Sequence, residues 1–381
     1  MADVPSRLRE IDICYFWFQA GEPELALRRL FRADQMLVVS CPEACPQLLA
    51  DFGRGGGLRL LYISIYKAPL LAQLPPDAPG WKGGSPARAS AERNPFWRQV
   101  NLEGHPEWIL YGAAGQPRRP FDDPNYMPGW QRTALPVANY QEAVGRGIQA
   151  VAQDGRFDGV YLDNFIPGRC GQALPWLVLD DTGHYKNCPV EVYTEAFYDL
   201  THRLRQRGQS TSPAGKYFWL VINGESDPRA QALADSLVIE SFMFSWAWPG
   251  SRLTDAAALE KLGQFESLRA RGGRPIVLCY FGFSGHPLRQ DATRIRRVLQ
   301  QGDAIFADML TLARPALISS FARANLQQSG HAGPPGPNHP AVAALANELP
   351  GDLELAREMY NAPWATAAVR RPRHSPPRGE T

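Results

Sequence analysis

Eight short apolar runs, most of them alternating with segments of helical periodicity, constrain this chain more than any other feature. They fall at residues 11–18, 35–41, 58–66, 157–165, 216–223, 236–242, 274–281 and 304–310. The third alternates and is β-branched, as a half-buried strand should be. The eighth reads either as a strand or as a helix leading into 316–321. Helical patterns lie at 23–32, 46–52, 139–153, 190–207, 227–235, 254–271 and 291–301. Pro23 stands near the first turn of its helix, Gly53 and Gly55 stop the second, and Thr254 is a plausible N-cap for the helix closed by Gly272 and Gly273. The helix at 190–207 carries apolar residues at Val192, Ala196, Phe197, Leu200 and Leu204. A strand–helix–strand rhythm calls for parallel βα units. The expected fold is therefore α/β, a single (β/α)8 TIM barrel. A doubly wound sheet is the rival, but no Gly-x-Gly-x-x-Gly follows the first strand and no P-loop occurs.

The rhythm breaks between residues 68 and 138, which are rich in Pro, Gly and Trp and show little periodicity. Such a stretch in a compact domain is usually a functional loop or lid. Within it, residues 107–117 suggest a small hairpin turning at 113–115. A second loop spans 165–189. Residues 329–340 form a Gly/Pro/His loop and 341–360 supply one or two closing helices. The barrel is expected to span 1–364, and the basic, Pro-rich tail at 365–381 to be disordered.

Composition narrows the function classes. Forty basic and 38 acidic residues leave a net charge of +2. That balance gives no field to select nucleic acid or an anionic membrane. Met1 to Glu10 has no apolar leader core, and no run is long enough to cross a bilayer. A cytoplasmic location is expected for the sequence as it stands, and secretion if its start is truncated; oligomeric state is open. Of six cysteines, Cys14, Cys41 and Cys279 fall in or at the end of strand runs and are expected as buried thiols. Cys170 and Cys188 flank one loop and could pair in an oxidising compartment. Cys41 and Cys45 lack the partners of a zinc site, and no metal or organic cofactor is called for.

The fourth run ends on a carboxylate. Alternation puts Phe157, Gly159, Tyr161 and Asp163 on one face. An acid at the C-terminal end of a barrel strand lies where such enzymes keep their chemistry, although it also serves as a helix cap. Glu240 ends the sixth run after Leu237, Val238 and Ile239. A buried Glu there must be paired or functional, because a lone buried charge is too costly. Two carboxylates at neighbouring strand ends suit glycosidic bond cleavage, one as nucleophile or base and the other protonating the leaving oxygen. Asn223, at the end of the fifth run, and Asn164, beside Asp163, are candidates to hold sugar hydroxyls. Glu225 is a reserve acid/base or a neighbour of the next helix cap. Tyr15 and Trp17 on the first run, Tyr66 and Lys67 after the third, Trp246 after the sixth and Tyr280 ending the seventh complete the candidate substrate-binding set. Flat rings suit the C–H faces of a pyranose; core packing accounts for them equally. His286, His105, Asp122 and Asp123 are loop residues with weak signals, and neither a Gly-x-Ser-x-Gly elbow nor a His pair at metal spacing is present.

The fourth run, from Phe157 to Asn164, resembles the strand-four signature of glycoside-hydrolase-like TIM barrels of the endo-α-1,4-polygalactosaminidase-like group. His105, Pro106, Glu107 and Trp108, followed by Gly115 and Pro117, are similar to a pattern such proteins carry upstream of that strand. The resemblance spans residues 11–325 and is loose outside the fourth run. It implies a glycosidase scaffold with Asp163 and Glu240 as the catalytic pair, and a carbohydrate substrate. Members are often exported, a pattern from which the polar start of this chain departs. The alternative is a non-catalytic carbohydrate-binding barrel, or one serving polysaccharide assembly, which needs the aromatics but not the acids.

Overall fold

The computed structural model describes residues 11, 13–17, 33, 35–74, 76, 88–120, 127–167, 176–224, 227–240, 263–264, 267–268, 270–271, 275–279 and 305–308. It is a mixed α/β protein built on a curled parallel sheet. The sheet strands are β1 (Ile13–Trp17), β2 (Gln35–Val39), β3 (Leu58–Ile63), β6 (Gly159–Phe165), β9 (Trp219–Gly224), β10 (Ser236–Ile239), β11 (Ile276–Cys279) and β12 (Ile305–Asp308). Their pairings run β1-β12-β11-β10-β9-β6-β3-β2 and close back onto β1. The run at 304–310, open between strand and helix in the sequence, is a strand at residues 305–308. The segments expected as helices at 23–32, 291–301, 316–321 and 341–360, and the tail at 365–381, lie outside the described residues.

Register explains the burial. Tyr62 pairs with Tyr161, Tyr161 with Val221, and Val221 with Ser236, so one row crosses β3, β6, β9 and β10 on the inner face. Phe16 meets Tyr161 edge-on at 5.2 Å and Tyr62 stacks on Tyr161 at 5.8 Å, filling the interior with rings. The outer rows face helices α1 (Pro46–Arg54), α3 (Ala138–Gln153) and α4 (Val190–Thr211). Two shorter helices, α2 (Arg88–Arg93) and α5 (Pro228–Leu233), complete the described set. Helix α3 buries Tyr140, Ala143, Val144, Gly147, Ile148 and Val151, the three-and-four spacing of an inward stripe. A Cβ on Gly147 would come within 2.8 Å of the Phe96 ring, so this glycine allows the insertion to lie against α3. Helix α4 buries Tyr193, Phe197, Leu200 and Leu204, whereas Val192, expected on that stripe, is 49% exposed. Tyr193 and Tyr198 are buried on the same helix. Asp227 caps α5 by accepting the Ala230 amide at 2.6 Å.

The insertion is more ordered than its lack of periodicity suggests. Strand β4 (Lys67–Pro69) pairs antiparallel with β5 (Trp130–Arg132). The hairpin expected at 107–117 is present: Tyr111 bridges Pro117 and the Gly112 amide donates to Gln116 O at 2.9 Å. Trp97 and Trp130 pack edge-on at 4.8 Å in a subsidiary core, which is held by large rings rather than by a repeating pattern. Thr133 Oγ1 and Tyr140 OH both donate to Ile65 O, at 2.5 and 3.0 Å, tying the end of the insertion back to the strand it left. The second loop also carries an unanticipated hairpin, β7 (Leu177–Leu179) with β8 (Tyr185–Asn187).

At the N-terminal end of the sheet the acids are structural. Asp158 binds Arg59 Nε at 3.0 Å and Lys216 Nζ at 3.2 Å. Asp235, 2% exposed at its side chain, takes Arg205 Nη2, Tyr217 OH and the Leu220 amide, each at 2.8 Å. Burial raises its pKa, and Arg205 foremost among its partners counters that shift.

Candidate active site

The acids at the opposite strand ends have different surroundings. Asp163, near the end of β6, accepts the Tyr62 hydroxyl on Oδ2 and the Asn223 amide on Oδ1, the latter at 2.8 Å. The same Asn223 nitrogen lies 2.9 Å from Glu240 Oε2, one residue beyond β10. Two carboxylates thus share one amide group. From 2.8 and 2.9 Å laid end to end, these two oxygens can be no more than about 5.7 Å apart, within the reach of a paired-carboxylate mechanism. Asn223 is 5% exposed, while Asp163 and Glu240 are only partly buried, so the pair opens toward solvent.

The local backbone produces this geometry. The register between β6 and β9 shifts between Leu162 and Phe165. Asn164 sits in that bulge with φ 57°, a left-handed conformation that Asn tolerates better than most residues. Gly224, paired with Phe165 across the bulge, has φ 147°, and a Cβ there would lie 1.9 Å from Phe165 O. The bulge is therefore built on one residue that accepts positive φ and one that has no side chain. Bulges re-aim side chains beside active sites.

Lys67, on β4, is the cation of the cluster. It is 2% exposed, and its Nζ lies 3.8 Å from Asp163 Oδ2 and 3.4 Å from Met127 Sδ. Burial lowers its pKa to about 8, and the charges of Asp163 and then Glu240 oppose that shift. Tyr161, behind Asp163, is held neutral: burial first, then the two carboxylates, push its pKa up. Among the described residues no three His, Cys, Asp or Glu side chains converge to hold a metal ion. None of the described helices is long and apolar enough to cross a membrane.

The other residues expected from sequence fall in three groups. Asn223 and Lys67 join the carboxylates, and Asn164 lies beside them, although its Oδ1 is buried without a hydrogen-bond partner. Tyr66 does not join them. It is 2% exposed, stacks on Phe197 of α4 at 6.2 Å and points its hydroxyl at Pro120 O, 3.3 Å away. Tyr15 and Trp17 fall in register with Leu37 and Val39, and through them with Arg59 and Leu61, rows offset from those of Tyr62, Tyr161 and Asp163. On β1 it is Phe16 that packs on Tyr161; the side chains of Tyr15 and Trp17 are outside the described residues. Glu225, Trp246 and Tyr280 lie outside the described residues, as do His286, Asp122, Asp123 and Cys170; Cys279 ends β11, as expected of a strand residue. Cys14, Cys41, Cys45 and Cys188 are buried and outside any disulfide among the described residues.

Sequence reasoning missed Tyr62. Its signal was present in the alternation of β3, which puts Leu60 and Tyr62 on one face, but aligning that face with β6 requires the register. The upstream pattern with His105 serves the scaffold. His105 stacks on Trp108 at 3.8 Å, Glu107 accepts from Asn139 at 3.1 Å, and Trp108 Nε1 donates to Asn139 Oδ1 at 2.8 Å, fastening the insertion to the first turn of α3.

No family model matches the chain, and no curated protein matches it. Among solved structures it is similar to the glycoside hydrolase domain of PelA from Pseudomonas aeruginosa. The two share 14% identity over 80% of this chain and 96% of that one, with a TM-score of 0.50. The fold is glycoside-hydrolase-like. Two weaker likenesses are Ega3 from Aspergillus fumigatus, in complex with galactosamine, and an α-amylase from Malbranchea cinnamomea. The first has 11% identity over 81% of this chain and 95% of that one, TM-score 0.46; the second has 9% over 94% and 79%, TM-score 0.44.

Proposed function

We propose that this chain is a glycoside hydrolase on a (β/α)8 TIM scaffold, cleaving an O-glycosidic bond of a poly- or oligosaccharide with retention of anomeric configuration. The observation that carries the reading is the Asn223 amide bonded to both Asp163 and Glu240. The bonded oxygens lie no more than about 5.7 Å apart, which accommodates the close pair that direct attack uses. Asp163 is the nucleophile, since Tyr62 and Asn223 donate to its two oxygens and Lys67 Nζ lies 3.8 Å from one of them, fixing the carboxylate in one orientation. Glu240 is the acid/base.

In the first step Asp163 attacks the anomeric carbon while Glu240 gives its proton to the departing oxygen. In the second, Glu240 takes a proton from water, the hydroxide attacks the same carbon, and the Asp163 carboxylate leaves. The test is a polysaccharide panel scored by new reducing ends, with proton NMR of the first-formed anomer. Retention with the wild type, and loss of at least about 1000-fold with Asp163→Asn and with Glu240→Gln, is expected. Full turnover by both variants on a cleaved substrate would sink the assignment, and an inverted first product would sink the nucleophile role.

A further inference from the structure

Lys67 is placed by the insertion rather than by the main sheet. Its strand, β4, is pinned by β5, with Lys67 opposite Arg132 and Pro69 opposite Trp130. The groups that face its ammonium come from five directions. Tyr62 on β3 and Trp130 on β5 each present a ring centroid 6.0 Å away. Asp163 on β6 lies at 3.8 Å, Met127 at 3.4 Å, and Glu240 beyond β10 adds a second negative charge. Arg132, its partner in register, directs its guanidinium over the Tyr66 ring, 5.1 Å from the centroid.

Two carboxylates held this close oppose each other's ionisation. A nucleophile must nevertheless stay ionised while its neighbour carries the proton. A buried, fixed ammonium beside one of the two breaks the symmetry between them. We propose that Lys67 is a positioning residue for Asp163: its ammonium holds that carboxylate in its attacking orientation, so that the insertion, through β4, sets the alkaline limit of activity. This rests on the reading of Asp163 as nucleophile. Above the Lys67 pKa of about 8 the ammonium loses its proton, its electrostatic hold on Asp163 goes, and turnover falls.

The test uses the full chain in two independent arms. The first follows the lysine ε-CH2 signals by 13C NMR against pH. The chain has five lysines, at 67, 82, 186, 216 and 261, and Lys67→Arg identifies the relevant signal by its loss. Lys67 is expected to titrate near 8 in the wild type. In Asp163→Asn the midpoint should fall by about 1 unit or more, because burial is then less opposed; Glu240→Gln should lower it less. A midpoint unmoved by Asp163→Asn overturns the proposal, whether or not any glycan is cleaved. The second arm measures kcat and KM against pH on whichever panel polysaccharide is cleaved. Lys67→Met should lower kcat at least about 100-fold with KM within about threefold. Lys67→Arg, which keeps a charge that does not titrate, should restore part of kcat and abolish the alkaline limb near 8. A limb that persists in Lys67→Arg overturns the proposal. Wild-type protein that cleaves nothing in the panel counts against glycoside hydrolysis, and the NMR arm then decides the Lys67–Asp163 coupling alone.

Discussion

The Asn223 side-chain nitrogen stands 2.8 Å from Asp163 Oδ1 and 2.9 Å from Glu240 Oε2. One neutral donor therefore ties together two acids that are 77 positions apart in the chain and would otherwise repel each other. Asn223→Ala removes that tie without adding charge. Turnover on a cleaved polysaccharide is expected to fall about 100- to 1000-fold, the scale of losing one preorganised donor. Far-ultraviolet circular dichroism should remain that of the wild type. Turnover within about threefold of wild type would show that the shared donor is dispensable.

Tyr62 donates its hydroxyl to the other oxygen of Asp163. Tyr62→Phe keeps the ring that stacks on Tyr161 and removes only the donor. Stability should drop by about 1.5–3 kcal/mol, the range for a hydrogen bond to a charged group, measured by urea unfolding. Turnover should fall with little change in KM, because the lost bond holds the nucleophile and not the substrate. A selective rise in KM would instead assign Tyr62 to substrate binding.

Lys67 couples function to stability. Its pKa in the folded protein, about 8, lies below the ordinary 10.5. Below about pH 8 the residue is protonated in both states, so the full cost of burying its charge is present. Between about 8 and 10.5 the unfolded state binds more protons, so stability rises with pH, and above 10.5 the cost is gone. At about 1.4 kcal/mol per unit the cost at pH 7 is on the order of 3 kcal/mol. Lys67→Met should therefore raise the urea midpoint at pH 7, because that cost is what remains after the attraction of Asp163 and Glu240 is counted. The difference from wild type should narrow as pH approaches 10. A midpoint that falls at pH 7 would mean that the ion pairing outweighs burial.

The acids at the two ends of the sheet should separate cleanly. Arg205→Ala leaves buried Asp235 without its cation and is expected to cost about 3 kcal/mol in urea unfolding. Where the variant is folded, kcat should match wild type, since Asp235 lies at the N-terminal end of β10 and Glu240 beyond its C-terminal end. A drop in kcat of more than about tenfold in folded protein would contradict that division.

What could be read from the chain alone was whatever has a local period. The alternation of β3 and β6 and the stripe of α3 repeat within a few residues, so Leu58, Tyr161 and Ile148 declare their burial in the sequence. The hairpin at 107–117 was also legible, because turn residues act over four or five positions. The order in the insertion was not, since Trp97 and Trp130 meet through packing that has no repeat. Nor was the side of the stripe on which Val192 falls, since it is exposed while its neighbour Tyr193 is buried.

For the site, the sequence by itself determined which residue types stand at the strand ends: Asp163, Asn223 and Glu240 each follow an apolar run, and that is a local fact. Only the tertiary structure decided that they meet. The Tyr62–Asp163 bond spans 101 positions and the Asn223–Asp163 bond 60, so neither leaves a trace in any short window. Register and the bulge at Asn164 and Gly224 bring the donors to the acid, and burial then gives Lys67 a pKa that no sequence window contains. A charge's behaviour depends on what surrounds it in space, and that surrounding exists only once the sheet has closed.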